Sequence, residues 1–189
     1  MTETRRRVDT RSRIQAVALE LFAEQGYEKT SLREIAERLG VTKAALYYHF
    51  RTKDDIVASL FDDMLAHLDA IVDWAHERTV DAETRREIVR RYAAVLSGPG
   101  EGLIQFVQGN QSAVRDLKDS EGLFQRFHTI IGLLTDSSAP LTTQLKNSMA
   151  LPVLHIGFFG PFELNATKEE RRAAALEVAM ELLGTAEDR

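Results

Sequence analysis

Two short helical segments that meet at a glycine constrain the fold of this chain most. In the first, Ser31 and Glu34 form a capping box, and apolar side chains recur at helical spacing behind it. Gly40 follows, and glycine readily takes the positive φ that a tight reversal needs. Thr42 can cap the second segment, whose inward side is predicted to hold Val41, Ala45, Leu46 and Phe50. The spacing predicts a helix-turn-helix within residues 30–53.

Every other periodic segment also predicts a helix, so the expected fold class is all-α. An apolar stripe begins at Ile14, and a long helix is expected over 54–78. Further helices are expected near 83–97, 101–117, 121–136, 140–159 and 167–184, and Pro152 should end or kink the helix that it interrupts. The predicted organisation is a three-helix head with a basic N-terminal arm in residues 1–53, followed by a larger helical domain in residues 54–189.

Charge is divided unevenly between these two parts. The chain carries a net charge of −5, but residues 1–53 carry +4 and residues 54–189 carry −9. The basic head is therefore the part expected to bind a polyanion. Within that head, Arg5, Arg6, Arg7, Arg11 and Arg13 form an arm that could enter a minor groove or act as a disordered tail with non-specific attraction.

Composition and motifs exclude several other classes of protein. The chain has no cysteine, which excludes a disulfide framework, a thiol nucleophile and a thiolate metal site. Asp63 and His67 stand four residues apart, but no further ligand completes a recognisable metal site, and no phosphate-binding or dinucleotide-binding glycine motif is present. We therefore expect no enzyme, no metal and no cofactor. No apolar run approaches the ~20 residues of a membrane helix, and a cytoplasmic protein is expected.

The second short helix carries the residues best suited to reading DNA. Its outward positions are predicted to be Thr42, Lys43, Ala44, Tyr47 and Tyr48. They supply a capping hydroxyl, a cation, a small residue that permits close approach, and two phenols that can reach base edges or phosphates. In a helix-turn-helix this helix lies in the major groove.

The strings LFAEQGYEKTS and LREIAERLGVTKAALYYHFRTKDDI resemble the DNA-binding domain of the tetracycline-repressor (TetR) family. The resemblance implies that Lys43, Ala44 and Tyr47 contact bases or the adjacent backbone. It also implies that Thr30, Thr42, Tyr48, His49 and Lys53 approach phosphates. For His49, a role in holding the helix in place remains an equal alternative.

Beyond about residue 60 the resemblance is one of layout only. It implies a helical domain that dimerises through its last two helices and binds a small molecule. The dimer contact is expected at Ala175, Ala179, Leu182 and Leu183, with packing inside their own subunit as the alternative. Candidate pocket residues, each of which could instead be core or surface, are His67, Trp74, Gln105, Phe106, Gln108, Phe127, His128 and His155.

These expectations combine into one functional hypothesis. The chain is predicted to be a homodimeric, ligand-responsive DNA-binding transcriptional regulator, most simply a repressor. It would bind a palindromic double-stranded DNA operator and be released by a small, mostly apolar effector. Two alternatives stay open: a DNA-binding regulator whose C-terminal domain binds a protein partner, and a small-molecule carrier or enzyme without a DNA role.

Overall fold

The computed structural model describes residues 2–110, 120–160 and 165–184, and it is built from α-helices with no strand in those ranges. In chain order the described helices are α1 (Thr2–Gln25), α2 (Leu32–Leu39), α3 (Lys43–His49), α4 (Lys53–His76), α5 (Ala82–Ser97), α6 (Glu101–Gly109), α7 (Ser120–Leu134), α8 (Leu141–Phe159) and α9 (Lys168–Leu182). The all-α prediction is confirmed. The part of the expected 101–117 helix that falls in 111–119 lies outside the described residues.

Local capping explains why most helices begin where the sequence indicates. Ser31 accepts a hydrogen bond from the amide of Glu34, and the Glu34 carboxylate accepts one from the amide of Ser31. Thr167 and Glu170 make the same reciprocal pair at the start of α9, and Asp81 caps α5. Such pairs satisfy amides that have no partner inside the helix.

Two expectations about helix ends can be compared with the structure. The helix α8 continues through Pro152 to Phe159, so of the two effects expected of this proline, an end or a kink, the structure shows no end. A proline inside a helix removes one backbone hydrogen bond but can be retained where the surrounding packing holds the helix. At the N-terminus the backbone is already helical at Thr2, so the basic arm continues α1 instead of forming a separate tail. The side chains of Arg5, Arg6 and Arg7 lie outside the described part of the structure.

The chain divides into two compact units. The first comprises residues 1–63 and 102–120, and the second comprises residues 64–101 and 121–189. The division thus falls inside α4, ten residues after the expected boundary, because Ile56, Val57 and Phe61 in the first turns of α4 are buried. The expected boundary after residue 53, between a DNA-binding domain and an effector-binding and dimerisation domain, remains a prediction.

The core of the first unit comes from the predicted apolar stripes. Ile14, Ala18, Leu21 and Phe22 of α1 are buried, as are Leu32, Ile35 and Ala36 of α2. The Phe22 ring also lies 5.4 Å from that of Phe106 in α6. A buried polar contact joins α1 to α4, where the Gln15 amide donates to Ser59 Oγ at 2.9 Å. These contacts fix the short helices α2 and α3 on a longer helical support.

In the second unit α8 and α9 pack closely together. A Cβ built on Gly157 would fall well inside the van der Waals distance of Ala175 Cβ, and it would lie 3.2 Å from the carbonyl oxygen of Arg171. Glu101, the first residue of α6, also contacts the start of α9, because its carboxylate pairs with Lys168 and with Arg172. Burial alone would raise the pKa of Glu101, but these two cations together lower it.

None of the helices in the described ranges has both the length and the apolar character of a membrane span.

Candidate nucleic-acid interface

The outward face of α3 presents the residues expected to read DNA. Thr42, Lys43, Ala44, Tyr47 and Tyr48 are all exposed, and Tyr48 keeps 67% of its surface accessible. The ammonium of Lys43 lies 5.3 Å from the centre of the Tyr47 ring, one helical turn away. A cation and an aromatic ring at this spacing stabilise each other modestly and restrain both side chains. The face therefore combines one cation, two phenol hydroxyls and a small, closely approachable surface.

Local geometry holds α3 in place on its support. Gly40 takes the left-handed conformation, with φ 71° and ψ 30°, as the reversal between α2 and α3 requires. Thr42 Oγ1 accepts the amide of Ala45 at 3.2 Å, which caps α3. Only Leu46 and Phe50 are fully buried in this segment. The expectation that Ala45 points inward is wrong, because a helix of seven residues buries one narrow side and Ala45 lies off it.

The arginines near this face are engaged with acids. Arg33 pairs with Glu37 one turn along α2 at 2.7 Å. Arg38 makes two hydrogen bonds, of 2.9 and 3.2 Å, to the carboxylate of Glu24 in α1. Both pairs are exposed, and such pairs contribute little to stability in water. The Arg38 pair nevertheless links α2 to α1 and so helps to orient the head.

Thr30 does not lie on the surface that these residues share. Its side chain is 2% exposed, and its hydroxyl donates toward the carbonyl oxygens of Gly26 at 2.9 Å and Leu21 at 3.4 Å. The expected phosphate contact through this side chain is therefore wrong. The hydroxyl instead satisfies carbonyl groups at the end of α1, where backbone acceptors lack partners inside the helix.

Lys53 is directed toward the turn between α1 and α2. Its ammonium donates to the carbonyl oxygens of Tyr27 at 2.6 Å and Glu28 at 3.3 Å, and it lies 4.4 Å from the centre of the Tyr27 ring. The Tyr27 hydroxyl in turn donates to Asp54. Burial, followed by this carboxylate, raises the pKa of Tyr27. Lys53 thus holds the α1–α2 turn against the start of α4.

Sequence reasoning missed two parts of this arrangement. Tyr27 forms edge contacts with Phe22 at 5.0 Å and with Phe106 at 5.5 Å, so it joins α1, α4 and α6 within the first unit. Thr52 and Asp55 form a third capping box, at the start of α4. The Thr-x-x-Asp spacing could have revealed that box, whereas nothing in the sequence showed which helix Tyr27 would contact.

His49 ends α3 and is half-buried beside Tyr48. The two rings meet edge to face with their centres 5.4 Å apart. This contact is compatible with both of the roles considered for His49, because it steadies Tyr48 while leaving part of the imidazole accessible.

Three of the predicted pocket residues come together in the second unit. The rings of Phe127 and His155 meet edge to face at 5.4 Å, and His128 lies 6.1 Å from Phe127. Tyr92 of α5 completes the group, since its hydroxyl lies 2.6 Å from His155 Nε2. Burial lowers the pKa of His155 and raises that of Tyr92, so both side chains are neutral at physiological pH. Tyr92 was missed because its helix, with six charged residues among sixteen, carries no sequence signal of a binding site.

The remaining pocket candidates do not join this group. Phe106 belongs to the core of the first unit, beside Phe22. Trp74 is stacked with two guanidinium groups, those of Arg91 at 4.1 Å and Arg78 at 4.5 Å. The other three candidates, His67, Gln105 and Gln108, are exposed.

The predicted dimer contact on α9 divides into two kinds of residue. Ala175 and Ala179 are buried within the protomer, with Ala175 against Gly157 of α8. Leu182 and Leu183 are half-buried. The expectation that the two alanines face a second subunit is wrong, because their small side chains permit the close approach of α8 itself.

A different apolar surface is exposed on α8. Leu141, Leu145, Met149 and Ile156 keep 43–80% of their surface accessible. Their spacing of four, four and seven residues places them on one side of the helix. We call these four residues the α8 stripe. Val178 of α9 is also exposed. Large apolar side chains in such a row are typical of an interaction surface.

The fold and the α3 face together define a helix-turn-helix DNA-binding protein. Residues 14–60 match the family model described as bacterial regulatory proteins of the tetR family. The regulator AcrR of Shigella flexneri is 46% identical over 54 residues. The match covers 29% of this chain and only 25% of the length of AcrR.

Solved structures extend the similarity of fold over nearly the whole chain. A transcriptional regulator from Aquifex aeolicus has a TM-score of 0.66 at 20% identity, covering 89% of this chain and 96% of that one. The TetR-family regulator PfmR from Thermus thermophilus has a TM-score of 0.61 at 25% identity, covering 89% and 97%. Residues 14–60 thus match the DNA-binding segment of the TetR family of transcriptional regulators, and the fold of the chain is similar to that of solved regulators of this family. The relatives named here are transcriptional regulators, which supports the prediction of a DNA-binding regulator.

Proposed function

We propose that this chain is a homodimeric transcriptional repressor that binds a palindromic operator and leaves it when a small, mostly apolar molecule binds. The exposed face of α3 carries the proposal, because Lys43, Tyr47 and Tyr48 stand on a short helix that is capped, supported and accessible. Lys43, Ala44 and Tyr47 would read bases in the major groove. Thr42, Tyr48 and His49 would lie nearer to phosphates. Binding to DNA implies a cytoplasmic location.

The α8 stripe supports dimerisation with a second copy of this chain. A twofold dimer buries the same surface of both subunits, so a single apolar stripe is enough to build the contact. It would also place two α3 helices about one DNA turn apart, ~34–36 Å, or a multiple of that distance. An operator with two inverted half-sites follows from this symmetry.

Release by an effector requires unequal affinity for two conformations of the dimer. An effector that favours the conformation with wrongly spaced heads lowers DNA affinity, and one that binds both conformations equally changes nothing. A coupling free energy of ~1–3 kcal/mol changes operator affinity by about 5–150-fold. The aromatic group around His155 is the site in the second unit that supports such binding.

Selection of genomic DNA fragments by the purified protein at near-physiological salt tests the proposal directly. We expect an inverted repeat to be enriched and the K43A/Y47A variant to enrich nothing. The matched control is R33A, which also removes one exposed cation from the head but from α2. Enrichment of the same repeat by K43A/Y47A would contradict the role of α3.

Sedimentation of M149D/I156D tests the dimer. We expect this variant to be monomeric and to bind a single half-site weakly. F124D is its control, because Phe124 is also exposed, on α7, but lies outside the α8 stripe. A monomeric F124D together with a dimeric M149D/I156D would place the interface elsewhere.

A further inference from the structure

A tyrosine and a histidine of the second unit form a neutral pair among aromatic rings. Tyr92 is 2% exposed, and its hydroxyl lies 2.6 Å from Nε2 of His155. Tyr92 comes from α5, His155 from α8 and the adjacent Phe127 from α7. Three helices therefore contribute to one small site, in which His155 and Phe127 are half-buried and so remain accessible in part.

The hydrogen bond fixes where the proton on the imidazole lies. A neutral histidine carries one ring proton, on either Nδ1 or Nε2. If Nε2 carried it and donated to Tyr92, the phenol proton would be buried with no acceptor, since the described part of the chain offers that hydroxyl no second partner. An unsatisfied buried donor costs about 1–3 kcal/mol. The phenol therefore donates to Nε2, and the ring proton lies on Nδ1.

This arrangement leaves His155 with a donor to offer. Within the described residues, Nδ1 of His155 has no hydrogen-bond partner. The imidazole is flanked by the rings of Phe127 at 5.4 Å, Tyr92 at 5.7 Å and Phe159 at 6.3 Å. Because burial disfavours the protonated imidazolium, lowering the pKa of His155, the site presents one neutral N–H within apolar surroundings.

We propose that this site recognises an uncharged, largely apolar ring compound through an acceptor oxygen that binds the Nδ1–H of His155. The inference rests on the proposed effector-responsive function and names the chemistry of its ligand. Aromatic side chains supply area for a flat apolar body, and the single donor orients one oxygen of a ketone, ester or ether. A carboxylate is disfavoured because none of the contacts described for His155 is to a cation, and burial of a carboxylate without one is costly.

Long-range ¹H–¹⁵N spectra of the histidine side chains test the tautomer without any ligand. At neutral pH we expect His155 to be protonated on Nδ1 in the wild type. In Y92F the hydrogen bond from the Tyr92 hydroxyl to Nε2 is lost, and we expect the His155 signal to move toward the Nε2-protonated form. The exposed His128 is the internal reference. A wild-type His155 protonated on Nε2, or charged at neutral pH, would overturn the inference.

Three naphthalene probes of similar size test the ligand class. Calorimetry should show that 2-acetylnaphthalene binds about tenfold more tightly than 2-ethylnaphthalene, which lacks the oxygen, and that 2-naphthoate binds most weakly. In H155F, the acetyl and ethyl probes should bind equally. Tightest binding by the carboxylate, equal binding of all three by the wild type, or no binding at all would each refute the proposed chemistry.

The same samples separate this inference from the proposed function. Operator binding is measured on the protein without any probe. If the protein binds its operator but does not show the predicted order of probe affinities, only the proposed ligand class is refuted. A protein that shows the predicted probe order but binds no DNA refutes the regulator and leaves the site standing.

Discussion

Substitution of Gly157 by alanine should destabilise the protein, although it places a better helix former inside a helix. Intrinsic propensity alone would favour alanine by about 1 kcal/mol. The new methyl group, however, would overlap Ala175 Cβ and lie 3.2 Å from the Arg171 carbonyl. Neither group can rotate away, so α8 and α9 must separate, and overpacking of this kind costs about 1–3 kcal/mol. The difference between these two figures is a net loss of up to about 2 kcal/mol in the free energy of unfolding.

Urea denaturation followed by circular dichroism measures this loss. The protein concentration is held fixed, because the proposed dimerisation would add to stability. Gly132 provides the matched control, since it lies inside α7 with nothing within 4 Å of its built Cβ. G132A should therefore gain about 0.5–1 kcal/mol. In the double variant G157A/A175G the overlap disappears. Its loss in the free energy of unfolding should therefore be smaller than the losses of G157A and A175G combined. If G157A proved as stable as G132A, the close contact of α8 with α9 would not depend on Gly157.

Three further predictions concern the head and the charged contacts. K53M should lower both the free energy of unfolding and operator affinity, and it should leave the slope of log affinity against log salt concentration unchanged. A slope smaller by about 0.9 per subunit would reveal a phosphate contact of Lys53. S31A should cost about 1 kcal/mol in urea denaturation through the lost cap of α2, and an unaltered midpoint would mean that the cap contributes nothing. The lowered pKa of Glu101 contributes stability that is present at neutral pH and lost as the pH falls below about 4.5. E101Q should therefore show a flatter acid limb in denaturation measured against pH, and a limb of wild-type steepness would contradict this assignment.

Features set by neighbours in the sequence could be predicted. The capping boxes at Ser31 and Thr167 define helix starts to within a residue, and the left-handed Gly40 appears where the turn requires it. Most of the expected helices agree with the described ones within two residues at most of their ends. Capping and periodicity depend on side chains three or four residues apart, so the sequence contains the whole interaction.

Contacts between helices could not be predicted in the same way. Small residues on α9 correctly indicated close approach of another helix, but the helix that approaches Ala175 is α8 of the same chain. Periodicity shows which side of a helix is apolar and leaves its partner undefined. The α8 stripe was missed for a related reason: polar and apolar residues do not separate onto two sides of α8, so its sequence does not distinguish the exposed apolar row from the buried one.

Two of the five positions in the head that were assigned to phosphates by resemblance show a further limit. Thr30 and Lys53 match the family pattern in residue type, yet both donate to backbone carbonyls of the α1–α2 region. A hydroxyl or an ammonium can satisfy a helix end as well as a phosphate, and residue type alone cannot decide between these acceptors. The decision depends on the tertiary position of the carbonyl groups.

The charge of the head leads to a related conclusion about how it recognises DNA. Its net charge of +4 suggests broad attraction to a polyanion, but Arg11, Arg33 and Arg38 are paired with carboxylates inside the same unit. Each exposed pair contributes little to stability. It therefore holds a guanidinium in place, and that guanidinium can still reach DNA. Lys43, stacked on Tyr47, is the cation that the α3 face presents directly. Sequence discrimination should therefore depend on the capped, restrained geometry of α3, while the surrounding charge contributes mainly the salt-sensitive part of the affinity.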